Sequence, residues 1–174
     1  SEMCIRDSIG TAVKGEVIME CSSLDKLLIV YGNGRYQVVP PPDKLFMDNN
    51  LVRCEIYNRE STYTAVYVEK SIAYIKRFKI GGAIMNRDYF LGASDKSKLI
   101  LLADGTPESI YVKYKPAKNQ RIHQQRFNPS ETAEKSAKAR GNRLSSKGIK
   151  YIDIAPGRWW DKADDGEIPD GVLL

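Results

Sequence analysis

The sequence predicts an all-β fold made of repeated blades, and three observations lead to this. No segment of the 174 residues keeps a helical period. Runs rich in β-branched and aromatic residues are separated by turns rich in glycine, proline and polar residues. Strand–turn–return units centre on Ile29, Val66 and Ile100, at spacings of 37 and 34 residues. A period near this length, with several strands in each unit, is typical of β blades.

The chain is organised around a hairpin predicted over residues 62–82. Two strand-like runs face each other across a short polar turn, and their β-branched and aromatic residues suit a half-buried sheet. The second run ends in Lys76, Arg77 and Lys79 and is followed by a glycine pair at 81–82, which favours a bulge or a blade corner. We interpret this hairpin as a blade whose basic end meets a polyanion.

Shorter strands are predicted on both sides of this hairpin. In chain order they are residues 17–21, 27–31, 35–39, 51–57, 98–102, 109–114 and 149–154. Gly32, Asn33 and Gly34 predict a tight turn because these residues accept positive φ. Residues 83–90 are predicted as a crossover or a short strand.

The C-terminal half of this pattern is more basic. Alternation over residues 109–115 predicts one apolar face and one wet, basic face. The two faces carry Ile110, Val112 and Tyr114 on one side and Tyr111, Lys113 and Lys115 on the other. Periodicity is lost over residues 116–136, which predicts a long loop or an extended insert. Residues 135–147 read as a basic turn.

Charge is distributed very unevenly along the chain. The net charge of +5 is made of −3 over residues 1–69, +12 over 70–150 and −4 over 151–174. A one-sided basic block of this size favours a nucleic-acid partner over a merely solvated surface. We predict a non-native leader over residues 1–8, which do not fit the later pattern, a domain over 9–154 and an acidic tail over 155–174.

Several classes of protein are disfavoured by composition. No apolar run approaches the length of a membrane helix, and no signal peptide is visible. Three widely spaced cysteines, Cys4, Cys21 and Cys54, fit a reduced cytoplasm better than a disulfide framework. No Cys/His cluster predicts a metal site, and His123 has no Ser/Asp partner pattern.

Short basic motifs in this order resemble one known family. They are KLLIVYGNGRY over residues 26–36, YIKRF over 74–78 with the glycine pair at 81–82, and KARG over 138–141. Over residues 14–154 the chain resembles the C-terminal domain of the A subunit of bacterial type IIA topoisomerases, which DNA gyrase and topoisomerase IV share in design.

The resemblance implies a β-pinwheel, a propeller-like disc of four-stranded blades, here in a partial or short form. Its basic rim binds and bends duplex DNA without sequence preference and presents a DNA segment for ATP-dependent strand passage. It implies partners in the holoenzyme, a B subunit and a second A subunit, and a cytoplasmic, nucleoid-associated location. The catalytic tyrosine region belongs to another part of that subunit, and ATP and Mg²⁺ belong to the holoenzyme, so we predict no catalytic residue, metal or cofactor in this chain.

One departure from the family pattern bears on function. Gyrase A subunits carry a glutamine-arginine-arginine-glycine-glycine-lysine-glycine box that is needed to wrap DNA. The nearest stretch here, AKARGNR over residues 137–143, has no glutamine and only one glycine of the pair. The resemblance therefore implies decatenation and relaxation rather than supercoiling. The acids over 161–170 resemble a tail that follows the domain in some gyrases.

Basic side chains that neutralise phosphates gain affinity through counterion release, without reading bases. The predicted DNA-binding residues are Lys76, Arg77, Lys79, Lys113, Lys115, Lys118, Arg121, Arg126, Lys138, Arg140, Arg143 and Lys147. Lys96 and Lys98, beside Asp95, are interpreted as ordinary solvated residues. The alternative function is a propeller-type interaction scaffold whose basic face meets an acidic protein.

Overall fold

The structure is a computed structural model that describes residues 2–6, 17–21, 25–41 and 50–161. In these ranges it contains fourteen strands, one short 3-10 helix and no α-helix, which confirms the all-β prediction. The strands are β1 Glu2–Arg6, β2 Val17–Cys21, β3 Leu27–Tyr31, β4 Arg35–Val39, β5 Leu51–Ile56, β6 Thr62–Glu69, β7 Ile72–Lys79, β8 Tyr89–Phe90, β9 Lys98–Asp104, β10 Ile110–Tyr114, β11 Gln124–Phe127, β12 Glu134–Ser136, β13 Asn142–Ser145 and β14 Ile149–Asp153. The 3-10 helix spans Pro129–Glu131. None of the described segments is a helix long and apolar enough to span a membrane.

Three sheets form consecutive blades, and β1 and β2 form a separate antiparallel pair. The first blade has the order β5-β3-β4-β8, and the third has the order β11-β10-β14. The second blade has the order β12-β7-β6-β9, and β13 also pairs with β7. This arrangement fits the predicted β-pinwheel class.

Neighbouring blades exchange strands in a regular way. Each blade is built on a hairpin: β3–β4, β6–β7 and β10–β11. A strand later in the chain pairs with the first hairpin strand: β5 with β3, β9 with β6, and β14 with β10. The second hairpin strand receives strands from beyond the next hairpin, because β8 pairs with β4, and β12 and β13 pair with β7.

The hairpin turns explain why these strands pair locally. Gly34 has φ of +81°, and its N–H donates to the Tyr31 carbonyl at 2.9 Å, so the predicted Gly-Asn-Gly turn is confirmed. At the tip of β6–β7, Lys70 and Ser71 have φ values of +49° and +66°. Two successive positive φ values define the turn whose twist matches that of paired strands.

The second blade lies between two apolar cores. Side chains alternate along its strands, so Tyr67 packs with Leu28 and Val38 of the first blade. Val66 points the other way and packs with Val112 of the third blade. A strand buried on both faces is rich in apolar residues, and the central part of β6, from Tyr63 to Tyr67, is buried on both faces and carries Thr64 as its one non-aromatic polar residue.

The predicted repeat was wrong in its third unit. Ile100 lies in β9, which pairs with β6 and therefore shares a blade with Val66. The chain does not return in a hairpin after β9 because Gly105 is held to β6. Its N–H donates to the Thr62 carbonyl at 2.7 Å, and its carbonyl accepts from the Thr64 hydroxyl at 2.8 Å. The third unit is the β10–β11 hairpin.

The prediction of a long loop and a basic turn over residues 116–147 was also wrong in part. This stretch contains β11, the 3-10 helix, β12 and β13. These short polar strands lack a recognisable pattern because they are outer strands that complete sheets on β10 and β7. Asn128 caps the 3-10 helix, accepting from Ser130 N at 3.1 Å.

The domain boundaries stay predictions. Residues 2–6 of the predicted leader form β1, which pairs with β2. Residues 1 and 7–16 lie outside the described residues, as does the predicted acidic tail beyond Asp161.

Candidate nucleic-acid interface

Lys76, predicted to contact DNA, is fully buried in the first-blade side of the second blade. It follows Tyr74 and precedes Phe78 on the same face of β7, and both of these side chains belong to the core between the two blades. Its ammonium donates to the carbonyls of Leu91, Ala137 and Ala139 at 2.7, 2.6 and 2.9 Å. Burial, and to a smaller extent the charge of Lys135, lower the pKa of Lys76 to about 8. A side chain in this position cannot reach a phosphate in this conformation.

Arg77 also makes structural contacts. Its Nη1 donates to the Thr132 carbonyl at 2.7 Å and to the Ser130 carbonyl at 3.3 Å. These bonds hold the segment between the 3-10 helix and β12 against β7, which is the strand that β12 joins. The guanidinium is therefore engaged with backbone rather than presented as a whole to solvent.

The predicted wet, basic face of β10 was wrong at Lys113. Lys113 is only 5% exposed, and its ammonium donates to the Trp159 carbonyl at 3.1 Å. Trp159 stacks on Tyr151, and Trp160 meets Tyr111 edge to face, with ring centroids 5.5 and 4.9 Å apart. The two tryptophan rings pack on this face of the third blade and shield it from solvent.

The turn between β12 and β13 presents two exposed cations on tyrosine rings. Lys138 Nζ lies 5.0 Å from the centroid of the Tyr89 ring. The Arg140 guanidinium lies 5.1 Å from the Tyr74 ring, and its Nη2 donates to the Tyr74 hydroxyl at 2.8 Å. Cation–π contact of this kind holds a charge in place while leaving it accessible.

A second group of cations lies where the chain leaves β10. Lys147 Nζ lies 5.1 Å from the Tyr114 ring centroid. The N–H of Lys115 donates to the Gly148 carbonyl at 2.8 Å, so Lys115 and the turn after β13 are neighbours. Lys115, Lys118 and Arg121 are exposed in the connection from β10 to β11. The structure thus brings Lys115 beside the turn that carries Lys147.

A cleft of about 470 Å³ lies beside the turn between β12 and β13. Its lining includes Lys79 and Lys138, both predicted, and Arg59. Lys79 is exposed and has the Glu134 carboxylate at 4.0 Å, and Glu60 also lines the cleft. Three cations against two carboxylates leave this cleft basic.

A larger cleft of about 750 Å³ separates the second and third blades. Arg126 of β11 and Arg143 of β13 line it, together with Glu108 and Glu131. The two charge signs balance here, so this cleft is less suited to a polyanion than the turn and the smaller cleft.

Sequence reasoning missed two basic residues near this surface. Arg59 lies in the turn before β6, and Thr62 pairs with Lys79, so the hairpin register could have placed Arg59 near Lys79. Lys135 donates to the Arg140 carbonyl at 3.0 Å and to Asn142 Oδ1 at 2.5 Å, which supports the turn from within. No local sequence signal marks that role.

Comparison with known proteins agrees with this architecture. A family model described as the topoisomerase C-terminal domain of Bacteroidota matches residues 6–156. No curated protein and no solved structure matched the chain. The match covers most of the chain, including all three blades, and the chain therefore belongs to the Bacteroidota topoisomerase C-terminal domain family.

Proposed function

We propose that this domain binds duplex DNA without sequence preference as the C-terminal domain of a type IIA topoisomerase A subunit. The observation that supports this best is the set of cations on the turn between β12 and β13 and beside Gly148, of which Lys138 and Arg140 are exposed and Lys147 is half-buried. Lys138, Arg140 and Lys147 are held on tyrosine rings, so little side-chain freedom remains to be lost when they meet phosphates.

The proposed role in the enzyme is to bend DNA and present a segment for ATP-dependent strand passage. Decatenation and relaxation suit this chain better than supercoiling, because residues 137–143 have only one glycine of the pair and no glutamine. ATP, Mg²⁺, the B subunit and a second A subunit belong to the proposed holoenzyme, and a nucleoid-associated, cytoplasmic location follows from the same proposal.

A salt series tests the proposal. Seven predicted cations are exposed and have no ion pair among the described residues: Lys115, Lys118, Arg121, Arg126, Lys138, Arg140 and Arg143. If all seven neutralise phosphates, the plot of log K against log salt has a slope of about −6. Fluorescence anisotropy with several unrelated duplexes should give one slope and similar affinities. A flat salt dependence, or strong preference for one sequence, would contradict the proposal.

The same domain could be captured with protein partners through bound DNA, so the interaction-scaffold alternative needs its own control. Capture experiments with and without nuclease separate the two functions. A partner that is retained after nuclease treatment, together with a flat salt dependence, would favour the scaffold.

A further inference from the structure

We propose that Lys76 is a positioning residue that holds the turn over residues 137–141 in the conformation that presents Lys138 and Arg140. This inference rests on the proposed DNA binding, because it concerns how the chain prepares that surface. Lys76 itself contacts no DNA in this scheme.

The first step of the argument is the saturation of the Lys76 ammonium. A lysine ammonium has three N–H donors. All three find carbonyls, two of them, Ala137 and Ala139, in the turn and the third, Leu91, just after β8. Lys76 is 0% exposed, so no water competes for these donors. One side chain therefore joins the turn of the second blade to the strand segment that completes the first.

The second step is the alternation of the turn. The carbonyls of Ala137 and Ala139 point inward to Lys76, while the side chains of Lys138 and Arg140 are exposed. Fixing the two carbonyls fixes two peptide planes, the one that joins Ala137 to Lys138 and the one that joins Ala139 to Arg140. These planes constrain the directions in which the Lys138 and Arg140 side chains leave the backbone.

The third step is that the other contacts of the turn lie around the same ammonium. The Gly141 N–H donates to the Tyr67 hydroxyl at 2.9 Å, and the Tyr67 ring centroid lies 5.8 Å from Lys76 Nζ. The Phe78 ring centroid lies 5.4 Å from the same nitrogen. Lys135 donates to the Arg140 carbonyl at 3.0 Å. Lys76 is the group in this cluster that bonds the turn at two places.

A double-mutant cycle on duplex binding tests the role. Lys76→Met keeps the buried stem and removes the donors, and Lys138→Gln/Arg140→Gln removes the charges that the turn presents. Losing both charges should lower the salt slope by about 2. Lys76→Met should lower affinity and slope in the wild-type background and change neither in the Lys138→Gln/Arg140→Gln background. Additive losses in the two backgrounds would overturn the proposal.

The exposed residue Lys118, in the connection from β10 to β11, supplies the control, because it lines neither the turn nor the cleft beside it. Lys118→Met should weaken binding to a similar extent in both backgrounds, because it does not act through the turn. Non-additivity of Lys118→Met with the turn variant would show that the cycle cannot isolate Lys76 and would count against the inference.

Two measurements separate this inference from the proposed function and from a folding defect. The first is amide hydrogen exchange, which needs no DNA. Lys76→Met should speed exchange at Ala139 and Gly141 and leave exchange in β3 and β4 unchanged. Unchanged exchange at the turn would refute the inference even if the domain binds DNA. If Lys76→Met does not fold, acetylation of wild-type lysines decides the matter. Lys76 should stay unreactive with and without DNA while Lys138 reacts and is protected by DNA, and reaction of Lys76 that DNA suppresses would refute it. Absence of binding by wild type refutes the proposed function alone.

Discussion

Lys113 and Lys115 offer a matched test of the interface, because they lie two residues apart in the chain, one in β10 and one just after its end. The structure separates their roles: Lys113 is buried and bonds the Trp159 carbonyl, whereas Lys115 is exposed. We expect Lys115→Met to weaken DNA binding without changing stability. We expect Lys113→Met to lower stability without changing the salt dependence of binding.

The magnitudes follow from burial and charge. Removing one phosphate contact at Lys115 should reduce the salt slope by about 0.9, which is about a threefold effect on affinity between 50 and 200 mM salt. Removing the Lys113 ammonium breaks a hydrogen bond from a charged donor, which costs about 1.5–3 kcal/mol. In a domain of this size each kcal/mol lowers Tm by about 2–4 °C.

The assay is duplex binding by anisotropy at four salt concentrations, with thermal unfolding measured on the same samples. Both substitutions remove one positive charge, so each controls for the change in net charge made by the other. A loss of salt slope in Lys113→Met, or a large fall in Tm for Lys115→Met, would refute the assignment of the two residues. Equal effects of both on binding would point to long-range charge rather than contact.

Three further predictions concern stability. Ser71→Gly should raise the free energy of unfolding by about 0.5–1 kcal/mol, because Ser71 has φ of +66° and glycine adopts this region without steric cost. An unchanged midpoint in urea unfolding would contradict this prediction. Gly141→Ala should lower the free energy of unfolding by about 1–3 kcal/mol, since a methyl group would lie 2.9 Å from the Tyr67 hydroxyl and from the Ile75 carbonyl of β7. A variant as stable as wild type would show that the turn can shift to make room and would contradict the prediction. Lys76 has its pKa lowered to about 8, so between pH 8 and 9.5 the unfolded chain holds a proton that the folded chain has lost. The free energy of unfolding should therefore rise by up to about 1.4 kcal/mol per pH unit. Urea midpoints measured across this range should rise with pH in wild type and not in Lys76→Met, and the same pH dependence in both proteins would contradict the prediction.

The first two hairpins could be predicted from sequence because their signals are local, whereas the β10–β11 hairpin was missed. The glycines around Asn33 mark one turn, and the β-branched and aromatic runs on either side of Lys70 mark another pair of strands. Strands such as β8 could not be predicted as blade members. Two residues carry little pattern, and β8 pairs with β4, more than fifty residues earlier in the chain.

From the sequence we could identify the stretch of chain that carries the candidate site, but not which of its basic residues are exposed. Charge counting identified the basic stretch that contains Lys138 and Arg140, but it could not separate exposed cations from buried ones. A signal for Lys76 existed: it alternates with Tyr74 and Phe78 along one face of a strand-like run, and a face that carries two aromatic residues is expected to be buried. Lys113 gave no such signal, because its cover comes from Trp159, 46 residues later.

The exchange of strands between blades has a consequence for how the domain unfolds. In many repeat arrays each unit touches only its neighbours and can open separately. Here β8 completes the first blade although its chain neighbours, β7 and β9, belong to the second, and β12 and β13 lie between strands of the third. No blade is therefore one continuous stretch of the chain, because each is interrupted in sequence by strands of another. The three blades should melt in a single cooperative transition, and a chain cut between them should not give separate folded pieces.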